Sequence, residues 1–143
     1  MNTANRIRTA GGAARLLIAA LVSGCAPKPE THTSFATADE AATGLVSALE
    51  KGDVATLGRL LGPGSEELIS SGDPVADKAD RDSFVASYRE KHELVADGDS
   101  RRVLQVGAED WPLPVPVVQR EGRWYLDGAA GADEIIYRRI GAN

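Results

Sequence analysis

The chain has one cysteine, two histidines, one methionine and only seven aromatic residues in 143 positions. One cysteine permits no intramolecular disulfide, so stability must come from packing. A structural zinc site takes four Cys, His or carboxylate ligands and a catalytic one three, and two histidines 60 positions apart supply no such spacing. No metal site or cofactor is expected. A Gly-Lys-Ser phosphate loop and a Gly-x-Ser-x-Gly nucleophile turn are both missing. No apolar run approaches the 20 or so residues of a membrane span, the longest lying between Ala13 and Val22.

What is present begins at the start. Arg6, Arg8 and Arg15 precede Leu16-Leu17-Ile18-Ala19-Ala20-Leu21-Val22, followed by Ser23-Gly24-Cys25. A basic segment, a short apolar segment and small residues form a secretory signal over 1–24. The run Val22-Ser23-Gly24-Cys25 resembles a bacterial lipobox, which implies that Cys25 is lipidated, becomes the new N-terminus and holds the protein to a membrane. Lipidation also accounts for a solitary cysteine in an exported chain, which would otherwise be a reactive thiol. Ala26 after it, rather than aspartate, resembles the signal for sorting to the outer membrane, facing the periplasm, in a cell that has one.

From Cys25 onward the chain carries 13 basic and 21 acidic residues, a net charge of −8. That sign argues against nucleic acid and against anionic lipid surfaces as non-specific partners. Residues 25–34 are polar and proline-bearing and read as a flexible tether, with His32 solvated inside it. Residues 35–143 suffice for a single domain with one core.

Within that domain, Thr37-Ala38-Asp39-Glu40 has capping-box spacing. Ala42, Leu45, Val46 and Leu49 then form a helical stripe that Gly52 ends. Asp53 caps a second helix carrying Val54, Leu57, Leu60 and Leu61, closed by Gly62-Pro63-Gly64. A short turn carries Leu68 and Ile69. A third helix is expected over 80–92 with Phe84, Val85 and Tyr88 inward, and a last one over 133–140 with Ile136 and Ile140 inward. Between them the period changes to two. Val103 to Val106 reads as a strand. In the segment from Trp111 to Val118, Pro112, Pro114 and Pro116 leave one edge without N–H donors, which predicts an edge strand whose other side pairs with Arg123 to Asp127. Arg120-Glu121-Gly122 would turn that hairpin.

Helices first and an antiparallel hairpin later indicate an α+β class: N-terminal helices packed on a small antiparallel sheet. The order resembles the cone of nuclear-transport-factor-2-like domains, carried by the Gly-Asp helix break and the Gly-Arg-Trp strand start. A closer likeness rests on five ordered blocks. They are Gly72-Asp73-Pro74-Val75, Tyr88 to Leu94, Val106 to Pro112, Gly122-Arg123-Trp124-Tyr125-Leu126-Asp127 and Arg138-Arg139-Ile140-Gly141. These resemble the bacterial family called domain of unknown function 2950. The resemblance implies an exported, often lipid-anchored envelope protein with no established activity. Members of that family run on past the last block, so the likeness covers the N-terminal half of the pattern.

The one grouping with chemical potential is Tyr88, Lys91 and His92 with Asp73, Asp77 and Asp110. Tyr88 and His92 fall at i,i+4 and share a helix face. A carboxylate-oriented His92 would be a general base. The plainer alternative puts Tyr88 in the core and His92 on a backbone carbonyl at the helix end. Trp111 and Trp124 would complete a ligand pocket with Tyr88 and His92, or else pack in the core. Asp97-Gly98-Asp99 reads as a turn. Three functions follow: a non-catalytic envelope lipoprotein that binds a protein partner or supports assembly, a small-molecule-binding cone, and an enzyme centred on His92.

Overall fold

The computed structural model describes residues 31–141, so the signal and lipidation assignments on 1–24 and Cys25 lie outside the described residues. Helix α1 (Ala38–Lys51) begins where Thr37 Oγ1 accepts from the Glu40 N–H at 3.1 Å. The Glu40 carboxylate reaches back one residue further than a capping box requires, accepting from the Ala36 N–H at 3.1 Å. Gly52 stops α1 at φ 61°, a left-handed conformation that glycine adopts without a Cβ penalty. Asp53 then caps α2 (Val54–Leu61), accepting from the Thr56 N–H at 3.0 Å. Both helices turn the expected stripes inward, with Leu49 only partly buried and Val54 exposed.

A single helical turn, α3 (Glu66–Ile69), follows buried Ser65, whose hydroxyl donates to the Gly62 carbonyl at 2.6 Å. Helix α4 (Pro74–Glu90) starts six residues before the expected point because Asp73 accepts from the N–H groups of both Val75 and Ala76 and Pro74 fits the first turn. It also ends sooner. His92 is not helical but opens strand β1 (His92–Ala96), a strand the apolar pattern of five residues was too short to reveal.

Strand β1 forms a hairpin with β2 (Arg101–Val106) through the Asp97-Gly98-Asp99 turn. The remaining strands are β3 (Trp111–Pro112), β4 (Val117–Arg120) and β5 (Arg123–Leu126). All pairing is antiparallel, in the order β1-β2-β4-β5, with β3 also on β2. Five helices and this open sheet make the described residues an α+β fold.

The proline segment departs from its expected place. Trp111 and Pro112 pair with Val106 and Gln105, whereas Val117 and Val118 pair with Arg102 and Arg101. Between the two registers the strand gains two residues over its partner, a bulge spanning Pro114 to Pro116. The Leu113 N–H donates to the Leu104 carbonyl at 2.8 Å, on β2 and not on β5. Only the Trp111 end is an edge; β4 is central, flanked by β2 and β5. The prolines mark where ladder bonding is interrupted rather than where the sheet ends. The hairpin through Glu121-Gly122 to Arg123–Leu126 is as expected.

Helix α5 (Gly128–Gly141) also departs from its expected place. It begins five residues before the expected start, and its inward side is glycine. A Cβ on Gly128 would stand 2.5 Å from the Leu61 carbonyl oxygen, and one on Gly131 2.6 Å from Val115 Cγ2. With 128 and 131 facing in, a helical period of 3.6 turns Ile136 and Ile140 outward. They are 48% and 68% exposed, not inward as the spacing of apolar residues suggests. The main core lies between α1, α2 and the sheet, joining Leu45, Leu57, Leu60, Val115, Val117, Trp124 and Leu126. A smaller cluster of Ala42, Leu104 and Val106 is covered by Phe84 and Tyr88 of α4.

Candidate functional site

Tyr88 and His92 meet, but not on one helix. Tyr88 lies in the last turn of α4 and His92 just beyond it. Their rings stack at 3.8 Å between centroids and 8° between planes, with His92 Nδ1 2.8 Å from the Tyr88 carbonyl oxygen. A carbonyl only accepts, so this contact assigns the proton to Nδ1. His92 pairs with Val106, and Val106 pairs with Trp111 on its other side. Directly paired residues project to the same face of a sheet, so His92 and Trp111 flank Val106 in one row. Trp111 is 63% exposed there.

Trp124 goes elsewhere. It is buried in the main core, exchanges backbone hydrogen bonds with Phe35 at 2.8 and 2.9 Å, and lies under the Arg102 guanidinium, 5.2 Å from its ring centroid. The four pocket residues are therefore three at one end of the sheet and one in the core.

The carboxylates separate further. Asp73 and Asp77 sit in the first turn of α4, roughly 17 to 22 Å from Tyr88 along the axis at 1.5 Å per residue. Each is occupied in capping that end. Asp77 accepts from the Ser71 hydroxyl and N–H and from the Ser70 hydroxyl, and the Ser71 bonds hold its carboxyl below the usual carboxylate value. Asp53 is lowered in the same way, chiefly by the Thr56 hydroxyl. Only Asp110 comes near, and its Oδ1 binds Lys91 Nζ at 2.6 Å, raising the lysine above its usual value. Among the described residues His92 makes no contact with a carboxylate. A His–carboxylate base is thus not assembled here.

Three cavities lie away from this end. One of about 490 Å³ runs between α3 and α5, lined by Leu68, Ser71, Ile135, Ile136 and Arg139. One of about 410 Å³ borders His32, Gly62 and Ile69, and one of about 330 Å³ lies between α1 and α4. None of the three is lined by Tyr88, His92, Trp111 or Trp124. Among the described residues no group of three His, Cys, Asp or Glu is placed to hold a metal ion, and no helix is long and apolar enough to cross a membrane.

His32 was the residue whose place the sequence concealed. It is not solvated in a tether: Nε2 stands 2.8 Å from the Leu126 carbonyl oxygen and 3.1 Å from that of Leu60, and the ring packs on Tyr125. The Thr33 N–H donates to Arg59 O at 2.8 Å, and Arg123 reaches Ser34. Residues 32–34 thus belong to the folded domain. No local pattern announces this, because every partner is distant in sequence.

The α+β class is consistent with the five ordered blocks, and a family model fixes the assignment. Residues 32–143 match the family described as protein of unknown function (DUF2950), to which the chain belongs. That match begins at His32, the residue whose ring meets the Leu60 and Leu126 carbonyls. No curated protein and no solved structure matches the chain.

Proposed function

We propose that this protein is an exported, lipid-anchored domain of the bacterial envelope that works by binding a protein partner, not by catalysis. The observation that carries the binding reading is the outward face of α5. Ile136, Tyr137 and Ile140 are 48%, 72% and 68% exposed, on a helix whose opposite side is already packed. Large apolar side chains grouped on one exposed face mark interaction surfaces more often than scattered ones do. The groove between α3 and α5 adjoins that face at Ile136 and is lined there by Leu68 and Ile135 as well. A net charge of −8 from Cys25 onward favours a protein over an anionic lipid surface as the occupant. The anchoring half of the proposal rests on Cys25 following Val22-Ser23-Gly24.

A His92-centred enzyme draws less support, since its ring nitrogen is engaged by a backbone carbonyl and Asp110 is engaged by Lys91. Photo-crosslinking groups placed at Tyr137 and Ile140 of the full chain in cells test the binding reading. Both positions should yield an adduct of the same discrete mass, and Glu121, on the far hairpin, should not. Equal labelling from all three positions, or none from α5, overturns it. For the anchor, Cys25→Ser should leave the membrane fraction or stay unprocessed; a mature-sized variant still sedimenting with membranes overturns that half alone.

A further inference from the structure

Strand β1 is the end of the sheet, and its backbone polarity can be read from the bonds at its two ends. The Gly107 N–H donates to Lys91 O at 2.9 Å, and the Asp97 N–H donates to Arg101 O at 3.0 Å. In an antiparallel ladder, positions that bond inward alternate with positions that bond outward. Lys91 and Asp97 bond toward β2, so Glu93 and Val95 do also. His92, Leu94 and Ala96 therefore direct N–H and C=O away from the sheet. Among the described residues no strand pairs with them.

Proteins commonly protect such an edge with like charges that repel an incoming strand. Here the charges at the two ends have opposite sign, Lys91 before β1 and Asp97 after it. Each is exposed at about half its surface and already holds one partner of its own chain, Asp110 and Arg101, so that a second copy would extend these pairs into a network. A second β1 laid antiparallel with Leu94 opposite Leu94 sets His92 against Ala96 and Lys91 against Asp97, twice by symmetry. That register also matches parity, because each outward-bonding residue meets another. The two-fold places both Leu94 side chains on the helix-bearing face, next to the cores they already cover. Opposite charges directly across a strand pair are favourable.

From this self-complementarity we infer that the β1 edge is an isologous interface at which two copies of the chain join their sheets. A continuous sheet across a two-fold is a closed arrangement, so it yields a dimer and not a fibre. This surface is separate from the α5 face, and either can fail without the other.

The test is the mass of the full chain in detergent by sedimentation equilibrium over a range of concentrations. A monomer–dimer equilibrium is expected. Ala96→Pro removes an outward N–H from each copy while sparing the β1–β2 ladder, and should weaken association about tenfold or more. Asp97→Lys should also weaken it, and adding Lys91→Asp should restore it; this pair decides the matter should the proline variant lose its native circular dichroism. Amides of Leu94 and Ala96 should exchange more slowly in the dimer. A chain that is monomeric throughout overturns the proposal, as does a dimer indifferent to both Ala96→Pro and the charge swap. So does a monomer with protected Leu94 and Ala96 amides, which would mean that residues preceding Thr31 cover the edge.

Discussion

The imidazole of His92 lies flat on the phenol ring of Tyr88 and is fastened to the carbonyl oxygen of that same residue, so one residue supplies both a stacking surface and an acceptor. The contact joins the last turn of α4 to the first residue of β1. It fixes the direction in which the chain leaves the helix for the sheet. His92→Gln keeps a donor but loses the ring, and His92→Phe does the reverse. Each should cost about 1 kcal/mol by urea denaturation, the net worth of an ordinary polar contact. Any cellular phenotype should follow protein abundance. A His92→Gln variant with wild-type stability and level but no function would overturn the structural role and move a catalytic histidine ahead.

Elements fixed by local chemistry were the legible part of this fold. The Thr37 cap, the Gly52 stop and the Asp53 cap each act within four residues, and each lies where sequence spacing puts it. What escaped was decided by distant contacts. The β1 strand exists because β2 pairs with it, while its own five residues alternate too briefly to signal a period. On α5 the apolar spacing points Ile136 and Ile140 inward, whereas the packed side is set by glycine and both isoleucines face out. The run Gly128-Ala129-Ala130-Gly131 carries the signal for the packed side, since small residues let a helix approach its neighbours closely. The candidate site suffered likewise. Tyr88 and His92 were joined by spacing, whereas Asp73, Asp77 and Trp124 were drawn off by capping and core contacts that no spacing reveals.

Gly128 should therefore be less replaceable than Gly122 in the β4–β5 turn. Gly128→Ala drives a methyl group against the Leu61 carbonyl and the Ser65 side chain, both at 2.5 Å, and neither is a flexible tip. Overpacking of this kind costs typically about 1 to 3 kcal/mol and occasionally more, against about 1 to 2 kcal/mol for a left-handed alanine. Gly122→Ala meets nothing within 4 Å and is penalised only through its φ of 76°. Thermal unfolding should rank Gly128→Ala below Gly122→Ala. The reverse order would mean that α5 does not pack against Leu61 as described.

Acid should weaken the domain through Asp77 and Asp53. Serine and threonine donors lower both carboxyls beneath the unfolded value of 3.8. Between the folded and unfolded values the unfolded chain binds more protons, so stability rises with pH across that interval. The contribution is complete above the unfolded value and disappears as pH falls through the folded one. Denaturant midpoints measured at about pH 5 and about pH 3 should differ less for Asp77→Asn than for the wild type. Equal differences would show that the Ser70 and Ser71 bonds do not favour the ionised form.

His32 closes the domain by bridging two carbonyl groups that no other described side chain reaches in this way, Leu60 at the end of α2 and Leu126 at the end of β5. A single Nε2 proton shared between two acceptors requires the Nε2–H tautomer. The ring also fills the space above Gly62, where an added Cβ would come within 2.8 Å of it. His32→Ala leaves both carbonyls to water and uncovers Tyr125, and should cost about 1 to 2 kcal/mol. The loss should be local as well as global. Residues 31–35 are held otherwise by the Thr33, Ser34 and Phe35 contacts, so their amides should lose exchange protection before those of α1. Limited proteolysis of the full chain should then cut near Thr33 faster in the variant than in the wild type. Unchanged cleavage and unchanged exchange there would show that the strap is held by its backbone bonds alone.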